Sequence, residues 1–407
     1  MFLKITTNMD ITDVLRKSAF RRLKAIEGLK ERPQLKHIEK GLFKEPRIKL
    51  IRGFRGVGKT TILLQIFNKH KEKSIYFSAD NLFIIKESIL NVAKSFIEEG
   101  IKLLLIDEVH MYPKWRNEIK VLYDEYPDIS IVCSGSAPLA FNPERREKLI
   151  DLSPLNLSEY LYLKGLSEKV IHAKNTWMDK LKTLTFISQY PEIDEAFSTY
   201  KKVGGFPLSL KYSAEEAIRA IYNSIKKSLY EDAVSFKKLS IEKVFGMEKL
   251  LLLLATSPPG ELSITSLSNT LDLSKTTIYE ILGLLENMHI TTIIKPYGKG
   301  SKLIRGEPKL LFFHPNLRVA VAKALGIEPN IGAIREELAV FALKQRGWNI
   351  YTAKGLKRSP DYIIEKGKEK YIIEVGGKGK NKAQFKGINM KKILANDDML
   401  KVLAMEY

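Results

Sequence analysis

Gly53-Phe54-Arg55-Gly56-Val57-Gly58-Lys59-Thr60-Thr61 is the stretch whose reading decides the fold. It matches G-x-x-x-x-G-K-[ST], in which four positions are specified at fixed spacing. Glycines let the backbone curl around phosphate oxygens and present its N–H groups, and a helix opening at the lysine adds the favourable end of its dipole. The flanks are those such a loop needs: an apolar run at 48–51 enters it and an amphipathic stretch at 60–68 leaves it. On this reading Gly53, Phe54, Arg55, Gly56, Val57, Gly58, Lys59, Thr60 and Thr61 bind a nucleotide, Lys59 reaching the β- and γ-phosphates and Thr60 holding Mg²⁺ through its hydroxyl. The competing reading is a glycine-rich turn that happens to carry a lysine.

Downstream, Leu103-Leu104-Leu105-Ile106-Asp107-Glu108 reads as a buried strand ending in two carboxylates. One carboxylate, Asp107, suffices for Mg²⁺. The second is informative, because Glu108 at this position can orient and deprotonate an attacking water, which points to hydrolysis rather than a bare nucleotide switch. Short apolar runs at 48–51, 74–77, 103–106 and 129–133 alternate with amphipathic stretches, the pattern of a parallel α/β sheet. The expected cofactors are ATP and Mg²⁺.

Three further stretches carry a resemblance: Asp107-Glu108-Val109-His110-Met111-Tyr112-Pro113-Lys114-Trp115, Ser134-Gly135-Ser136, and Pro154-Leu155-Asn156-Leu157-Ser158-Glu159-Tyr160. With the phosphate loop they resemble the AAA-type P-loop ATPases of archaea and bacteria that carry a C-terminal domain of unknown function with a nuclease-like fold. The resemblance implies a sheet with an extra strand between the two phosphate motifs. It also implies a polar sensor residue at the end of the strand that begins at Ile129, a position Ser134 or Ser136 fills. Gly204-Gly205-Phe206-Pro207 is similar to the lid motif of signal-transduction ATPases, which would bring Pro207 to the nucleotide; a turn between two helices fits it equally. Arg145 and Arg146 stand where such proteins place an arginine finger acting on a neighbouring subunit, so a homo-oligomer is one expectation and a solvated helix face the other.

Residues 1–46 read as basic helices, 47–155 as the P-loop core, 156–245 as a helical lid, 246–318 as a winged helix-turn-helix and 330–407 as a nuclease-like α/β domain. In the winged-helix segment Ser274 caps a helix that presents Lys275, Thr276, Thr277 and Tyr279, and strands at 290–294 and 302–304 form the wing. That segment could read DNA or serve as a spacer. Asp361 and Glu374, with Glu336 or Glu337 from the preceding helix, fit the acids of a PD-(D/E)xK nuclease core and form a candidate second metal site. The lysine of that motif is missing: Gly376 occupies its place and Lys378 follows a glycine pair. A nuclease gated by ATP, a regulator switched by ATP and a degenerate nuclease-like domain that only binds all follow from this pattern.

The chain has 407 residues and a formal net charge of +20, a balance that favours polyanionic partners, DNA or RNA. The excess is unevenly spread. Residues 1–60 hold 16 basic and 6 acidic side chains, a net of +10, and residues 354–392 hold 12 and 4, a net of +8. Residues 247–300 come to −1, so the N-terminal helices and the C-terminal domain, not the winged helix, are the expected nucleic-acid surfaces. A single cysteine, Cys133, excludes an intrachain disulfide. No apolar run reaches membrane-spanning length and no secretory signal is readable, so a cytoplasmic, non-membrane protein is expected.

Overall fold

Strand and helix alternate after two leading helices: α1 (Ile11–Arg22), α2 (Gln34–Glu39), β1 (Ile48–Arg52), α3 (Lys59–Lys69), β2 (Ser74–Ser78), α4 (Leu82–Glu87), α5 (Ile89–Glu98), β3 (Leu103–Asp107), α6 (Trp115–Glu125), β4 (Ser130–Gly135) and β5 (Glu147–Asp151). The computed structural model describes residues 11–45, 48–136, 143–173, 176–233, 239–260, 263–298, 307–353, 360–377, 385 and 388–405. They form two compact units, Met1–Phe54 with Gly58–Ser153 and Arg55–Val57 with Pro154–Tyr407.

In the first unit all five strands are parallel, in the order β2-β3-β4-β1-β5. β4 lies between β1 and β3, which is the extra strand between the two motifs. Every residue of β2, β3 and β4 is buried, which explains their unbroken apolar runs: a parallel sheet covered on both faces leaves no position for a solvated side chain. β5 is half-exposed and charged, as suits an edge strand. Its sequence, Glu147-Lys148-Leu149-Ile150-Asp151, carries too few apolar residues to stand out beforehand, and Arg145 and Arg146 lie in the turn before it rather than on a helix.

The N-terminal helices belong to this unit and do not stand apart, which corrects the expectation of a separate 1–46 segment. Leu15 and Ala19 are buried, and the Phe20 ring meets Phe67 edge-on at 5.5 Å. Lys49 of β1 sends its Nζ to the Ile38 and Lys40 carbonyls, both at 2.7 Å, tying the end of α2 to the sheet. Burial holds the Lys49 amine down at about 8.

The second unit starts with α7 (Leu157–Lys164), α8 (Lys180–Ile187), α9 (Glu192–Thr199), a π-helical turn Tyr200–Gly204, a 3-10 turn Pro207–Leu210, α10 (Ala214–Lys227) and a second π turn Ser228–Asp232. Capping boxes start α7 at Asn156 with Glu159 and α10 at Ser213 with Glu216. Helices Ile241–Thr256, Ile264–Leu271 and Lys275–Asn287 follow, the last capped by the Ser274 hydroxyl on the Thr277 amide. β6 (Thr291–Ile294) then pairs antiparallel with β7 (Lys309–Phe312); the strand expected at 302–304 lies outside the described residues.

Helices Pro315–Ala324 and Ile331–Gln345 lead into a four-stranded sheet ordered β11-β10-β9-β8, from β8 (Asn349–Thr352), β9 (Tyr362–Lys366), β10 (Glu369–Val375) and β11 (Lys391–Ala395). The β8–β9 and β9–β10 pairs are antiparallel and β10–β11 is parallel. Helix Asp397–Leu403 follows β11. One buried cluster joins Leu157, Trp177, Ile193 and Tyr200 to Trp348, Ile373, Leu400 and Met405. The lid expected at 156–245 therefore shares its core with the domain expected at 330–407. The Leu157 amide also donates to the Ala404 carbonyl at 2.8 Å.

Candidate functional site

In open parallel sheets ligands bind beyond the carboxyl ends of the strands. The ends of β1, β3 and β4 lie side by side here, and the loop from Gly53 to Gly58 leaves β1 at that edge. Gly56 and Gly58 take φ of +88° and +101°, a region that side chains with a Cβ rarely adopt. α3 has no side-chain cap on its first turn, so its leading N–H groups are not taken by a cap. Lys59 is buried, and its Nζ donates to the Gly53 and Phe54 carbonyls at 2.9 and 3.2 Å, folding the amine back into the loop. Thr60 and Thr61 occupy the first turn of α3, both partly exposed, while Phe54 and Val57 are buried.

Asp107 ends β3 and is buried. Its Oδ1 accepts from the Ser134 hydroxyl on β4 and from the Glu108 amide at 3.1 Å, and its Oδ2 accepts from the Tyr76 phenol on β2 at 2.9 Å. Neighbouring strands thus fix the carboxylate from both sides. Burial, reinforced by the Asp107 charge, pushes the Tyr76 phenol well above its usual range, so it stays a donor. The phenol oxygen in turn accepts from Arg22 Nη1 at 3.2 Å.

Glu108 has φ +46° and ψ +40°, left-handed geometry that is uncommon for a residue with a side chain. Its Oε2 accepts from the Ser136 amide at 3.3 Å and the Ser136 hydroxyl at 3.0 Å, and His110 Nδ1 lies 3.4 Å away. The two serines that sequence reasoning leaves as alternatives are both engaged, Ser134 on Asp107 and Ser136 on Glu108. Tyr76 and Arg22 escape that reasoning because no motif marks them; pairing of β2 with β3 brings the tyrosine alongside the aspartate.

Arg55, at the loop tip, groups with the second unit, where its Nη2 pairs with the buried Asp232 at 2.7 Å and stands 3.7 Å from Glu231. Pro207 opens the 3-10 turn. The glycine pair before it has a steric reason: a Cβ on Gly205 would lie 2.3 Å from His314 Cε1 and 2.8 Å from Asn316 Oδ1, and one on Gly204 would lie 2.7 Å from Tyr200. Arg146 pairs with Asp124 and stacks over Tyr123 within its own unit, while Arg145 is exposed.

The acids of the second unit do not assemble as expected. Asp361 and Glu374 do meet: the Asp361 amide donates to Glu374 Oε2 at 3.2 Å and the Val375 amide to Asp361 Oδ2 at 2.8 Å. Glu337 is turned elsewhere, accepting from Arg318 Nε at 2.8 Å and the Phe312 amide at 3.0 Å in a fully buried pair. Burial pushes its carboxyl up to about 7 against the pull of Arg318. Glu336 is held by Lys309 and by the Tyr362 phenol. Glu337 therefore does not join Asp361 and Glu374 as expected, and among the described residues there is no group of three or more His, Cys, Asp or Glu side chains that could hold a metal. Lys378 lies outside the described residues. Lys275, Thr276 and Tyr279 are exposed.

A nucleotide-shaped loop and two held carboxylates at one edge of a β2-β3-β4-β1-β5 parallel sheet define a P-loop fold, and residues 45–161 match the family described as AAA domain. The chain belongs to the AAA-type P-loop ATPases. Residues 194–330 match a domain of unknown function (DUF8612). The Methanocaldococcus jannaschii protein "Uncharacterized protein MJ1637" is 31% identical over 377 residues, spanning 84% of this chain and 78% of its own. An uncharacterized Haemophilus influenzae protein is 26% identical over 354 residues, covering 81% and 82%. Among solved structures, the Thermotoga maritima RuvB Holliday junction branch migration motor aligns over 78% of this chain and 95% of its own at 13% identity and a TM-score of 0.32, a remote likeness. No helix among the described residues is long and apolar enough to cross a membrane.

Proposed function

We propose that the chain binds ATP with Mg²⁺ at the edge formed by β1, β3 and β4, hydrolyses it, and couples turnover to a change in its second unit. The observation that carries this reading is the pair Asp107–Glu108, each carboxylate held by a serine, Ser134 on β4 and Ser136 just past its end, beside a loop whose following helix has no side-chain cap. The donor set suits Mg²⁺, which takes hard oxygens, needs only one or two protein ligands and keeps water on the rest of its shell. Thr60 and Asp107 would supply those oxygens. The metal, when bound, would neutralise charge on the β- and γ-phosphate oxygens.

Lys59 would swing from the Gly53 and Phe54 carbonyls to the phosphates. Glu108 would orient the attacking water and take its proton, its direction set by the left-handed backbone and by Ser136. Ser134, held on Asp107, would act as the polar sensor. The net charges of +10 and +8 support a nucleic-acid partner at the N-terminal helices and the C-terminal domain, with the three-helix and ribbon segment acting as a winged-helix spacer.

The test is phosphate release with ATP and Mg²⁺, in the presence and absence of single-stranded DNA, duplex DNA and RNA. Turnover that vanishes in Lys59→Ala together with nucleotide binding supports the reading; turnover that survives in Lys59→Ala overturns it.

A further inference from the structure

We propose that Tyr76 is a positioning residue for the metal-binding carboxylate of Asp107, and that Arg22 at the end of α1 sets Tyr76 in turn. The inference rests on the Mg²⁺–ATP reading above. Three contacts in series carry it: Arg22 Nη1 to the Tyr76 oxygen at 3.2 Å, the Tyr76 hydroxyl to Asp107 Oδ2 at 2.9 Å, and the Ser134 hydroxyl to Asp107 Oδ1.

A carboxylate that reaches a metal from a strand end can rotate about its last bond, and each rotation moves the oxygen offered to the metal shell. Ser134 and the Glu108 amide restrain that rotation through Oδ1 only. Tyr76 closes it by holding the other. β2 and β4 flank β3, so the two donors approach the carboxylate from opposite strands.

Arg22 gives the phenol its orientation. A tyrosine hydroxyl rotates freely unless something engages its lone pair, and the guanidinium does so, directing the hydrogen at Asp107. The same guanidinium lies 5.7 Å from the Tyr76 ring centroid, so the side chain covers the phenol as well as bonding to it. α1 is held by buried Leu15 and Ala19, which places the backbone of Arg22 where its side chain reaches Tyr76. The basic helix of the sequence is thereby connected to the metal-binding carboxylate through one side chain.

Supporting groups around metal ligands typically change metal affinity 10- to 100-fold when lost. The experiment measures equilibrium binding of a fluorescent ATP analogue to the full chain in EDTA and across a Mg²⁺ titration. Tyr76→Phe, which keeps the ring, is expected to raise the Mg²⁺ concentration for half-maximal enhancement of binding about tenfold, while affinity in EDTA stays unchanged. Arg22→Met, a surface change, is expected to move it in the same direction by about threefold. A Tyr76→Phe curve that overlays the wild type, where the wild type responds to Mg²⁺, overturns the proposal; so does an equal loss of affinity in EDTA, which a merely structural role would give. A wild type that binds no nucleotide overturns the ATPase reading itself, and this proposal with it.

Discussion

Asn316 offers the sharpest test of how the second unit holds the Gly204–Pro207 segment. It is fully buried, its Oδ1 accepts from the Gly205 amide at 2.7 Å, and its Nδ2 donates to the Tyr200 and Lys201 carbonyls at 3.1 and 2.8 Å. Asn316→Asp preserves the shape and the bond to Gly205 but turns the second oxygen toward two carbonyl oxygens. Both carbonyls lose their donor, the Tyr200 carbonyl in a buried position and the Lys201 carbonyl in a part-buried one, at about 1–3 kcal/mol each, so the cost at neutral pH is about 2–6 kcal/mol. Protonating the new carboxyl restores one donor. The folded pKa of that carboxyl is therefore raised, and the deficit relative to wild type shrinks as pH falls toward the ordinary Asp range. Urea unfolding of both proteins at neutral and mildly acidic pH measures the deficit, and hydrogen exchange across 200–210 localises it. A variant within about 0.5 kcal/mol of wild type at neutral pH, with unchanged exchange there, would refute the clamp.

Two other predictions concern His314 and Ser136. His314 caps helix Pro315–Ala324 through its ring, and complete burial pushes its pKa down to about 3. The unfolded chain takes up a proton below about 6.5 that the folded chain refuses, so stability falls as pH drops from there toward 3, by on the order of 5 kcal/mol over the whole window. His314→Asn keeps a capping acceptor and should flatten that acid slope in a pH series of unfolding curves; an unchanged slope contradicts the assignment. Ser136→Ala removes the hydroxyl bond to Glu108 and should lower kcat about tenfold with little change in KM for ATP, whereas a rise in KM alone would mean that Ser136 serves binding instead.

Much of the fold was legible because local chemistry specified it. The run 103–106 could only be a covered strand, the Ser274 cap marked its helix, and the glycine and lysine spacing placed the loop. What escaped is non-local. β5 is an edge strand whose charged residues carry no burial signal, and β7 lies beyond the turn that suggested a closer partner for β6. The acid at 337 has the spacing of a metal ligand, yet Arg318 of another helix claims it, and only packing reveals that pairing. The shared core of 157–200 with 338–405 is likewise invisible to a reading that moves along the chain. At the candidate site the motifs name Asp107 and Glu108, while Tyr76 and Arg22 emerge only when strands pair and α1 docks.

The central claim is that Glu108 activates water for ATP cleavage at a site where Lys59 and Asp107 hold the nucleotide and its metal. Its most direct measurement is single-turnover cleavage of bound ATP by Glu108→Gln beside wild type, with nucleotide affinity measured on the same samples. The account predicts affinity within about twofold of wild type and a rate lower by about 10²- to 10⁴-fold. Cleavage at the wild-type rate by that variant would contradict it.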